Sequence, residues 1–238
     1  MTYLVVGASS GLGRALAERF ASAGNEIILV SRDRRDTEAL SAHLTILHGV
    51  KVSPVTIDLA NRPLSYAEID AALQAHQPLK GVLLPAGAND DDDAVGLNDD
   101  KLTYLTRVNY LAPCELLNRY LPLLKDNDGV VIGFGSVATA RGRTQNAAYA
   151  AAKSALQAYF ESLAHSGTRC QFYILGYLNT NLAFAQDLPF PMAAPDRIAN
   201  VVYKQRFANG RRFLPRPWYM VYRIVQLLPW FIYKRLSF

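Results

Sequence analysis

Short apolar runs alternate along this chain with longer amphipathic segments. The apolar runs are strand-like and lie at 3–7, 26–31, 51–57, 79–87, 129–135 and 170–176. The amphipathic segments are helix-like and lie at 12–23, 34–47, 65–76, 99–124 and 149–165. Strands this apolar are typical of a parallel sheet that helices cover on both faces. We therefore expect an α/β fold with a doubly wound parallel sheet in three αβα layers.

Length and composition favour one main domain. The chain has 238 residues, of which 50% are hydrophobic, and this suits a sizeable core. The segment 211–215 offers a last strand, so we expect a main domain over 1–217 and a C-terminal basic-aromatic helical extension over 218–238. The four aspartates at 90–93 indicate a solvated loop after the fourth strand.

The cysteines and the first residues bear on the compartment. Cys114 and Cys170 both fall in apolar segments, which is typical of buried thiols in a reduced cytosol. The first residues are apolar and show neither the charged region nor the cleavage site of a secretory signal. We expect a cytoplasmic location, and no Cys/His spacing predicts a metal site.

A glycine-rich loop connects the first strand to the first helix. Gly7, Gly11 and Gly13 allow a tight turn, a close approach of the backbone to a pyrophosphate and close helix–strand packing. The helix N-terminus adds free N–H groups and a partial positive charge for phosphate oxygens. The loop therefore indicates a Rossmann-type dinucleotide site that is formed by Gly7, Ser9, Ser10, Gly11, Leu12 and Gly13.

The end of the second strand distinguishes NAD from NADP. An acidic residue there bonds the free ribose 2′-hydroxyl of NAD, whereas arginine pairs with the 2′-phosphate of NADP. Ser31 stands where the acid is expected and Arg32 follows it, which favours NADP(H), while Asp33 keeps NAD(H) open. Asp58 and Leu59 end the third strand, and Asp58 is placed to reach the adenine or to cap the following turn.

The segment 146–160, NAAYAAAKSALQAYF, carries Tyr149 and Lys153 on one face of a helix, four residues apart. A free tyrosine has a pKa of about 10 and is a poor base at neutral pH. A lysine ammonium one turn away would stabilise the tyrosinate. Ser136, at the end of the fifth strand, can hydrogen-bond a substrate oxygen.

Together these motifs resemble the classical short-chain dehydrogenase/reductase family. The matching elements are the Gly7–Gly13 loop, Ala86–Gly87, Asn109 in VNYLAP, Ser136, the Tyr149/Lys153 pair and LGYLNT at 175–180. The chain departs from the family pattern at scaffold or cofactor-placing positions, which are Val6, Leu84, Pro85 and Leu175. The resemblance implies that residues 1–217 form an NAD(P)-binding catalytic domain, which transfers a hydride between nicotinamide and a carbonyl or secondary alcohol.

The resemblance also implies roles for individual residues. Tyr149 would be the acid/base, and Lys153 would lower its pKa and hold the nicotinamide ribose. Ser136 would orient the substrate, and Asn109 would support a water relay to Lys153. Further cofactor contacts are implied for Ala86, Gly87, Gly176 and Thr180. The family also implies a homodimer or homotetramer, paired through the helices at 99–124 and 149–165.

Charge and aromatic residues make the end of the chain distinct. The net charge is +5, yet every residue after Asp196 is neutral or basic, so the excess charge lies in this last part. A uniformly basic surface would indicate nucleic acid, which we do not expect. A basic end rich in Trp, Tyr, Phe and Leu is typical of an interfacial helix. We expect peripheral membrane contact through 211–238, at the inner face of the membrane.

Other interpretations of the tail stay open. Arg223, Gln226 and Pro229 interrupt its apolar stretch, so it is a poor transmembrane span. Residues 218–238 could instead fold over the active-site mouth or pack on a second subunit. The charge asymmetry favours the membrane.

The sequence indicates the chemical class of the substrate. The segment 181–196 is apolar, with Leu182, Phe184, Leu188, Phe190 and Met192, and this favours a hydrophobic substrate portion. The tail is similar to the ends of bacterial reductases that act on polyprenyl-phosphate-linked keto-sugars, which would make the substrate a lipid-linked carbonyl compound. The alternatives are a soluble NAD(H)-dependent alcohol dehydrogenase with a small-molecule substrate, and a non-catalytic module that senses NADP(H).

Overall fold

The computed structural model describes residues 1–76, 78–180 and 192–236. The strands in these ranges are β1 (Thr2–Val6), β2 (Glu26–Ser31), β3 (Val52–Thr56), β4 (Leu79–Leu84), β5 (Val130–Ser136), β6 (Cys170–Leu175) and β7 (Gly210–Leu214). They form one parallel sheet in the order β3-β2-β1-β4-β5-β6-β7. The chain moves outward from β1 to β3 and then crosses to the other side of β1, which confirms the predicted doubly wound sheet.

Helices flank this sheet. In the described ranges they are α1 (Gly11–Ala21), α2 (Arg34–His48), α3 (Ala67–Ala75), α4 (Asp99–Thr106), α5 (Ala112–Asp126), α6 (Ala147–His165), α7 (Pro195–Lys204), α8 (Trp218–Leu227) and α9 (Trp230–Tyr233). A π-helical turn, Arg107–Leu111, joins α4 to α5, and a 3-10 turn, Val137–Ala140, follows β5. The segment predicted as one helix over 99–124 is therefore helical throughout, with a wider turn at its centre.

Alternate side chains of the buried strands enter two cores, one on each face of the sheet. On β1, Tyr3 and Val5 join the core beneath α1, α2 and α7. Leu4 and Val6 join the core beneath α4, α5 and α6. Because successive strand residues point to opposite faces, an entirely apolar strand requires helices on both sides. The predicted three-layer arrangement is confirmed.

Glycines in β5 let α6 lie close to the sheet. Phe160 of α6 is 2% exposed. A Cβ atom on Gly133 would lie 2.4 Å from its ring. Phe160 also packs against Phe172 of β6, with ring centroids 5.0 Å apart. The missing side chain at residue 133 therefore sets the distance between the sheet and α6, the helix that carries Tyr149 and Lys153.

The C-terminal segment folds back onto the main domain. Trp218 packs edge-on against Tyr177, with ring centroids 5.3 Å apart. The Tyr233 hydroxyl donates a hydrogen bond of 2.9 Å to the carbonyl of Gly142. No helix in the described ranges is both long and apolar enough to cross a membrane. The boundary predicted after residue 217 lies directly before α8, and the division into domain and extension stays a prediction.

We expect Gly133→Ala to lower the free energy of unfolding by about 1–3 kcal/mol, because the added methyl group overlaps the Phe160 ring in a filled core. Gly142→Ala is the matched control, since nothing lies within 4 Å of a Cβ atom at that exposed position. The control should stay within about 0.5 kcal/mol of the wild type. Urea unfolding followed by circular dichroism measures both, and equal stabilities would contradict the close packing of α6 on β5.

Candidate active site

The carboxyl ends of the parallel strands open into one cleft of about 550 Å³. Open α/β sheets bind ligands at this edge, at the point where the strand order reverses. The predicted site residues that line the cleft are Gly7, Ser9, Ser10, Gly11, Leu12, Gly13, Ser31, Arg32, Asp58, Leu59, Ala86, Gly87, Ser136, Tyr149, Lys153, Gly176 and Thr180. Asn109 lies behind the cleft and is treated below.

The glycine loop forms a close-fitting cradle. Gly7 has φ 89°, a left-handed conformation that favours glycine. A Cβ atom on Gly13 would lie 1.9 Å from the carbonyl oxygen of Gly7, so the turn has no room for a side chain. Helix α1 begins at Gly11, and the N-cap Ser10 makes no side-chain capping bond. Free N–H groups at the start of a cleft-lining helix fit a pyrophosphate.

The end of β2 presents a cation to the cleft. The exposed Arg32 guanidinium donates a 3.3 Å hydrogen bond to the Tyr104 hydroxyl. The Asp33 carboxylate is the N-cap of α2 and accepts a 3.0 Å hydrogen bond from the N–H of Asp36. The buried Ser31 hydroxyl donates to the carbonyl of Asp33 at 3.0 Å. Arg32 is therefore the charged group at this end of β2 that lines the cleft, while Asp33 stabilises a helix end.

Three other predicted cofactor residues have defined surroundings. Asp58 lines the cleft, and its Oδ1 also accepts a 2.9 Å hydrogen bond from the N–H of Ala60, so it caps the following turn. A Cβ atom on Gly11 would lie 3.1 Å from Cγ2 of Thr180, so the end of the LGYLNT motif lies against the glycine loop. Gly176 lies directly beneath Trp218, whose ring would be 2.2 Å from a Cβ atom.

The Lys153 ammonium is buried at the floor of the cleft, with 4% of the residue exposed. Its Nζ donates hydrogen bonds to the carbonyl oxygens of Ala86 at 3.2 Å and Phe134 at 3.4 Å. Burial lowers the pKa of the ammonium to about 8, because a poorly hydrated environment disfavours the charged form. Lys153 therefore remains largely charged at neutral pH and releases its proton more readily than an exposed lysine.

Tyr149 stands beside Lys153, whose Nζ lies 6.0 Å from the centroid of the phenol ring. Burial raises the pKa of Tyr149, while hydrogen bonding with Ser136 and the positive charge of Arg143 lower it. Burial is the largest of these effects, so the phenol is protonated at neutral pH. It can donate a proton to an oxygen atom that is also bonded to Ser136.

Asn109 lies in the π-helical turn and is fully buried. Its Nδ2 donates to the carbonyl oxygens of Ala88 at 2.8 Å and Leu105 at 2.9 Å, and its Oδ1 accepts from the N–H of Ala88 at 3.1 Å. A Cβ atom on Gly87 would lie 3.2 Å from that Oδ1 and 3.4 Å from the Nζ of Lys153. Asn109 thus supports the backbone beside Lys153, and its part in a water relay stays a prediction.

Asp93 is a site-building residue that the sequence analysis missed. It is 2% exposed, and its two carboxylate oxygens accept 2.9 Å hydrogen bonds from the N–H groups of Ala148 and Tyr149. The expectation of a solvated loop is therefore wrong for Asp93, because its carboxylate caps α6. The available signal in the sequence was the start of α6, whose first turn contains no acidic residue to offset the partial positive charge of the helix N-terminus.

The chain is similar to known proteins in family, sequence and fold. The family model described as short chain dehydrogenase matches residues 1–184. An uncharacterised oxidoreductase of Myxococcus xanthus is 27% identical over 235 residues, which are 96% of this chain and 92% of that protein. A protein of Anopheles gambiae named dehydrogenase/reductase SDR family protein 7-like is 29% identical over 189 residues. The match covers 76% of this chain, and the chain spans 60% of the length of that relative.

Solved structures show the same fold. An alcohol dehydrogenase of the archaeon Thermococcus sibiricus, complexed with 5-hydroxy-NADP, has a TM-score of 0.81 at 21% identity, with 90% of this chain and 95% of that chain covered. A short chain dehydrogenase/reductase of Burkholderia phymatum, in complex with NAD, has a TM-score of 0.83 at 19% identity, with 93% and 91% covered.

We expect Asp93→Ala to lower the free energy of unfolding by about 1–2 kcal/mol, the usual cost of removing a helix cap. Hydrogen exchange should also become faster at the N–H groups of Ala148 and Tyr149, because both lose their acceptor. Asp91→Ala, which removes an exposed member of the same aspartate run, is the control. Unchanged exchange protection in the first turn of α6 would show that Asp93 is not its cap.

Proposed function

Because the chain belongs to the short-chain dehydrogenase/reductase family and is therefore an NAD(P)-dependent oxidoreductase, we propose that it reduces a carbonyl group with NADPH. The observation that carries this proposal is that Ser136, Tyr149 and Lys153 line the same cleft as the glycine loop. We propose further that the substrate is hydrophobic or lipid-linked, a keto-sugar in the first instance, and that the enzyme works at a membrane surface.

The cradle around the glycine loop fits a dinucleotide, because its glycines form a tight turn at the start of a cleft-lining helix. A side chain on Gly7 would lie 2.7 Å from the Cα of Ala86, so the turn packs directly on the neighbouring backbone. The N–H groups at the start of α1 would hold the phosphates, and Lys153 would hold the nicotinamide ribose. A nicotinamide cofactor, when bound, supplies or accepts the hydride.

The residues of this chain transfer the proton that must accompany the hydride. In reduction, the protonated Tyr149 donates to the carbonyl oxygen while Ser136 hydrogen-bonds the developing alkoxide. The ammonium of Lys153, close to the Tyr149 ring, then stabilises the tyrosinate that remains. The raised pKa of Tyr149 keeps the phenol protonated at neutral pH, as a proton donor in carbonyl reduction must be.

Arg32 supports a preference for NADP(H). It lines the cleft at the end of β2, where a ribose 2′-phosphate would lie, and arginine pairs well with phosphate. The rival NAD(H) interpretation depends on Asp33, and the carboxylate of Asp33 is already bonded to the N-terminus of α2. A pure NADP(H) sensor would have no need of Ser136, Tyr149 and Lys153.

The two faces of the tail support contact with an anionic membrane. Trp218, Tyr222 and Tyr233 are buried against the main domain. Large apolar side chains on the other side are exposed, with Leu227 at 72%, Trp230 at 64%, Phe231 at 61% and Ile224 at 57%. The cations Arg216, Arg223, Lys234 and Arg235 are exposed with them, and no acidic residue follows Asp196. Apolar rings flanked by cations suit the boundary between lipid headgroups and acyl chains.

The tail also adjoins the cleft, which supports a substrate that reaches it from the lipid. Tyr222 hydroxyl and Thr139 Oγ1 are 3.3 Å apart, and Arg141 donates a hydrogen bond to the carbonyl of Leu228. The same turn contributes Val137 and Ala138 to the cleft wall. Of the apolar residues named in the segment 181–196, Met192 is described and is 41% exposed, whereas Leu182, Phe184, Leu188 and Phe190 lie outside the described residues. Homodimer or homotetramer formation stays a prediction.

We expect Tyr149→Phe to lower kcat for ketone reduction by about 10²–10⁴-fold, the usual contribution of a positioned acid. The affinity for NADPH should remain within about two-fold of the wild type, because the ring and its packing are kept. NADPH oxidation with a panel of neutral aliphatic and cyclic ketones measures kcat, and fluorescence titration measures the affinity for NADPH. Reduction that proceeds equally well in the variant would contradict the proposed chemistry.

For the cofactor, we expect Arg32→Ala to weaken NADPH binding by about ten-fold or more and to leave NADH binding unchanged, because a charge-assisted pair with the 2′-phosphate is lost. Asp33→Ala should leave the ratio of the two affinities unchanged and lower stability by about 1 kcal/mol through loss of the α2 cap. Calorimetric titration of both variants with both cofactors distinguishes the NADP(H) from the NAD(H) interpretation.

At the membrane, we expect the full chain to float with anionic phosphatidylglycerol vesicles, to bind neutral phosphatidylcholine vesicles less, and to detach as salt rises. Leu227→Asp with Phe231→Asp should abolish binding. The control is Ile46→Asp with Val95→Asp, which removes two apolar side chains that are 86% and 82% exposed and makes the same charge change. Substitution is preferable to truncation at Asn209, which would also remove β7 and Trp218. Absence of wild-type flotation would assign the tail to a lid or a subunit contact.

A further inference from the structure

Arg143 is a cleft residue to which the sequence analysis gave no role. It lies on the chain between Ser136 and α6, and it lines the cleft together with Ser136, Tyr149 and Tyr177. It therefore occupies the end of the cleft where the substrate meets the proton donor. The glycine loop, Arg32 and Asp58 serve the opposite, cofactor end.

The side chain of Arg143 has no protein partner among the described residues. Its Nε is buried without a hydrogen-bond acceptor, and it forms no ion pair within the described ranges. Arg141, two residues earlier, is fully engaged, because it bonds the carbonyl of Leu228 and lies 4.6 Å from the ring centroid of Tyr233. This turn can therefore satisfy an arginine, whereas the Nε of Arg143 finds no acceptor among the described residues.

Within the described part of the chain, no carboxylate is paired with the positive charge of Arg143. Among the described residues that line the cleft, Asp58 is the acidic one, and it lies at the end of β3 on the cofactor side. Asp93 is near the start of α6, where its carboxylate oxygens accept hydrogen bonds from N–H groups of that helix, and it forms no ion pair with Arg143. A partly buried guanidinium without a carboxylate carries a desolvation cost that a bound anion would offset.

We propose that Arg143 binds an anionic group of the substrate, a phosphate or a carboxylate, and thereby places the substrate carbonyl against Ser136 and Tyr149. The planar guanidinium offers paired donors that match either anion. This inference rests on the proposed reductase function and deepens it, because it makes the substrate a ketone that carries negative charge beside the reacting carbonyl. Arg143 acts as a specificity-determining residue.

The test compares matched ketones that differ in charge, bound to the full chain saturated with NADP⁺ so that the cofactor phosphate sites are filled. The phosphate pair is dihydroxyacetone phosphate against dihydroxyacetone, and the carboxylate pair is 4-oxopentanoate against its methyl ester. Dissociation constants come from saturation-transfer NMR. We expect at least one charged probe to bind about ten-fold or more tightly than its neutral counterpart, and the pair that shows the larger ratio identifies the anion.

Variants test whether Arg143 is the cause of the preference for charged probes. Arg143→Gln should abolish the difference between charged and neutral probes, and Arg143→Lys should retain part of it, since the charge remains without the planar fork. Arg169→Gln, which removes an arginine paired with Asp128 at the opposite edge of the sheet, should keep the full preference. Thermal unfolding and NADP⁺ affinity of Arg143→Gln verify that the fold and the cofactor site are intact.

The outcomes separate this inference from the proposed function. Failure of the wild type to bind NADP⁺ would contradict the proposed function itself. With NADP⁺ bound, three results would overturn the role of Arg143 alone: equal affinity for charged and neutral probes, no binding of any probe, or an unchanged preference in Arg143→Gln.

Discussion

The burial of one ammonium group between the sheet and α6 is the constraint around which this site is organised. Lys153 bonds the carbonyl oxygens of Ala86, which lies just after β4, and of Phe134, which lies near the end of the neighbouring strand β5. The bonds join α6 to the edge of the sheet where the strand order reverses. Burial at this position lowers the pKa of Lys153, because removing an ammonium from water disfavours its charged form. The fold thereby holds this ammonium beside the Tyr149 ring, where the proposed chemistry uses a positive charge.

Helix α6 is held in place from several directions, and each support is a contact between distant parts of the chain. Phe160 packs on the bare backbone of Gly133, so the helix lies close to β5. Asp93 occupies the positive end of the helix with a buried carboxylate. Asn109 fixes the backbone of Ala88, next to the strand end that Lys153 contacts. The tail adds a further layer, since its aromatic residues pack on the turn after Ser136 while its other side remains apolar and cationic.

Much of this architecture was predictable from local patterns. The alternation of apolar and amphipathic segments predicted the three-layer parallel sheet, because strand and helix periods are properties of adjacent residues. The glycine spacing predicted a dinucleotide cradle, since a turn that excludes Cβ atoms is also a local property. The predicted strand over 79–87 was too long, because β4 ends at Leu84, directly before Pro85, which has no N–H to donate to the sheet. The one predicted helix over 99–124 contains a π-helical turn that places Asn109 behind the cleft.

By itself, the sequence determined the fold class, the family resemblance and the charge asymmetry of the tail, because each depends on residue type and spacing along the chain. The tertiary structure decided which polar groups are already occupied. It bonded Asp33 to the start of α2 and left Arg32 lining the cleft, and it buried one aspartate of a run of four as the cap of α6. Within the described ranges, it also paired Arg141 and left the Nε of Arg143 without an acceptor. These pairings depend on which groups far apart in the sequence come into contact, and on how much water remains around them. No local pattern contains that information.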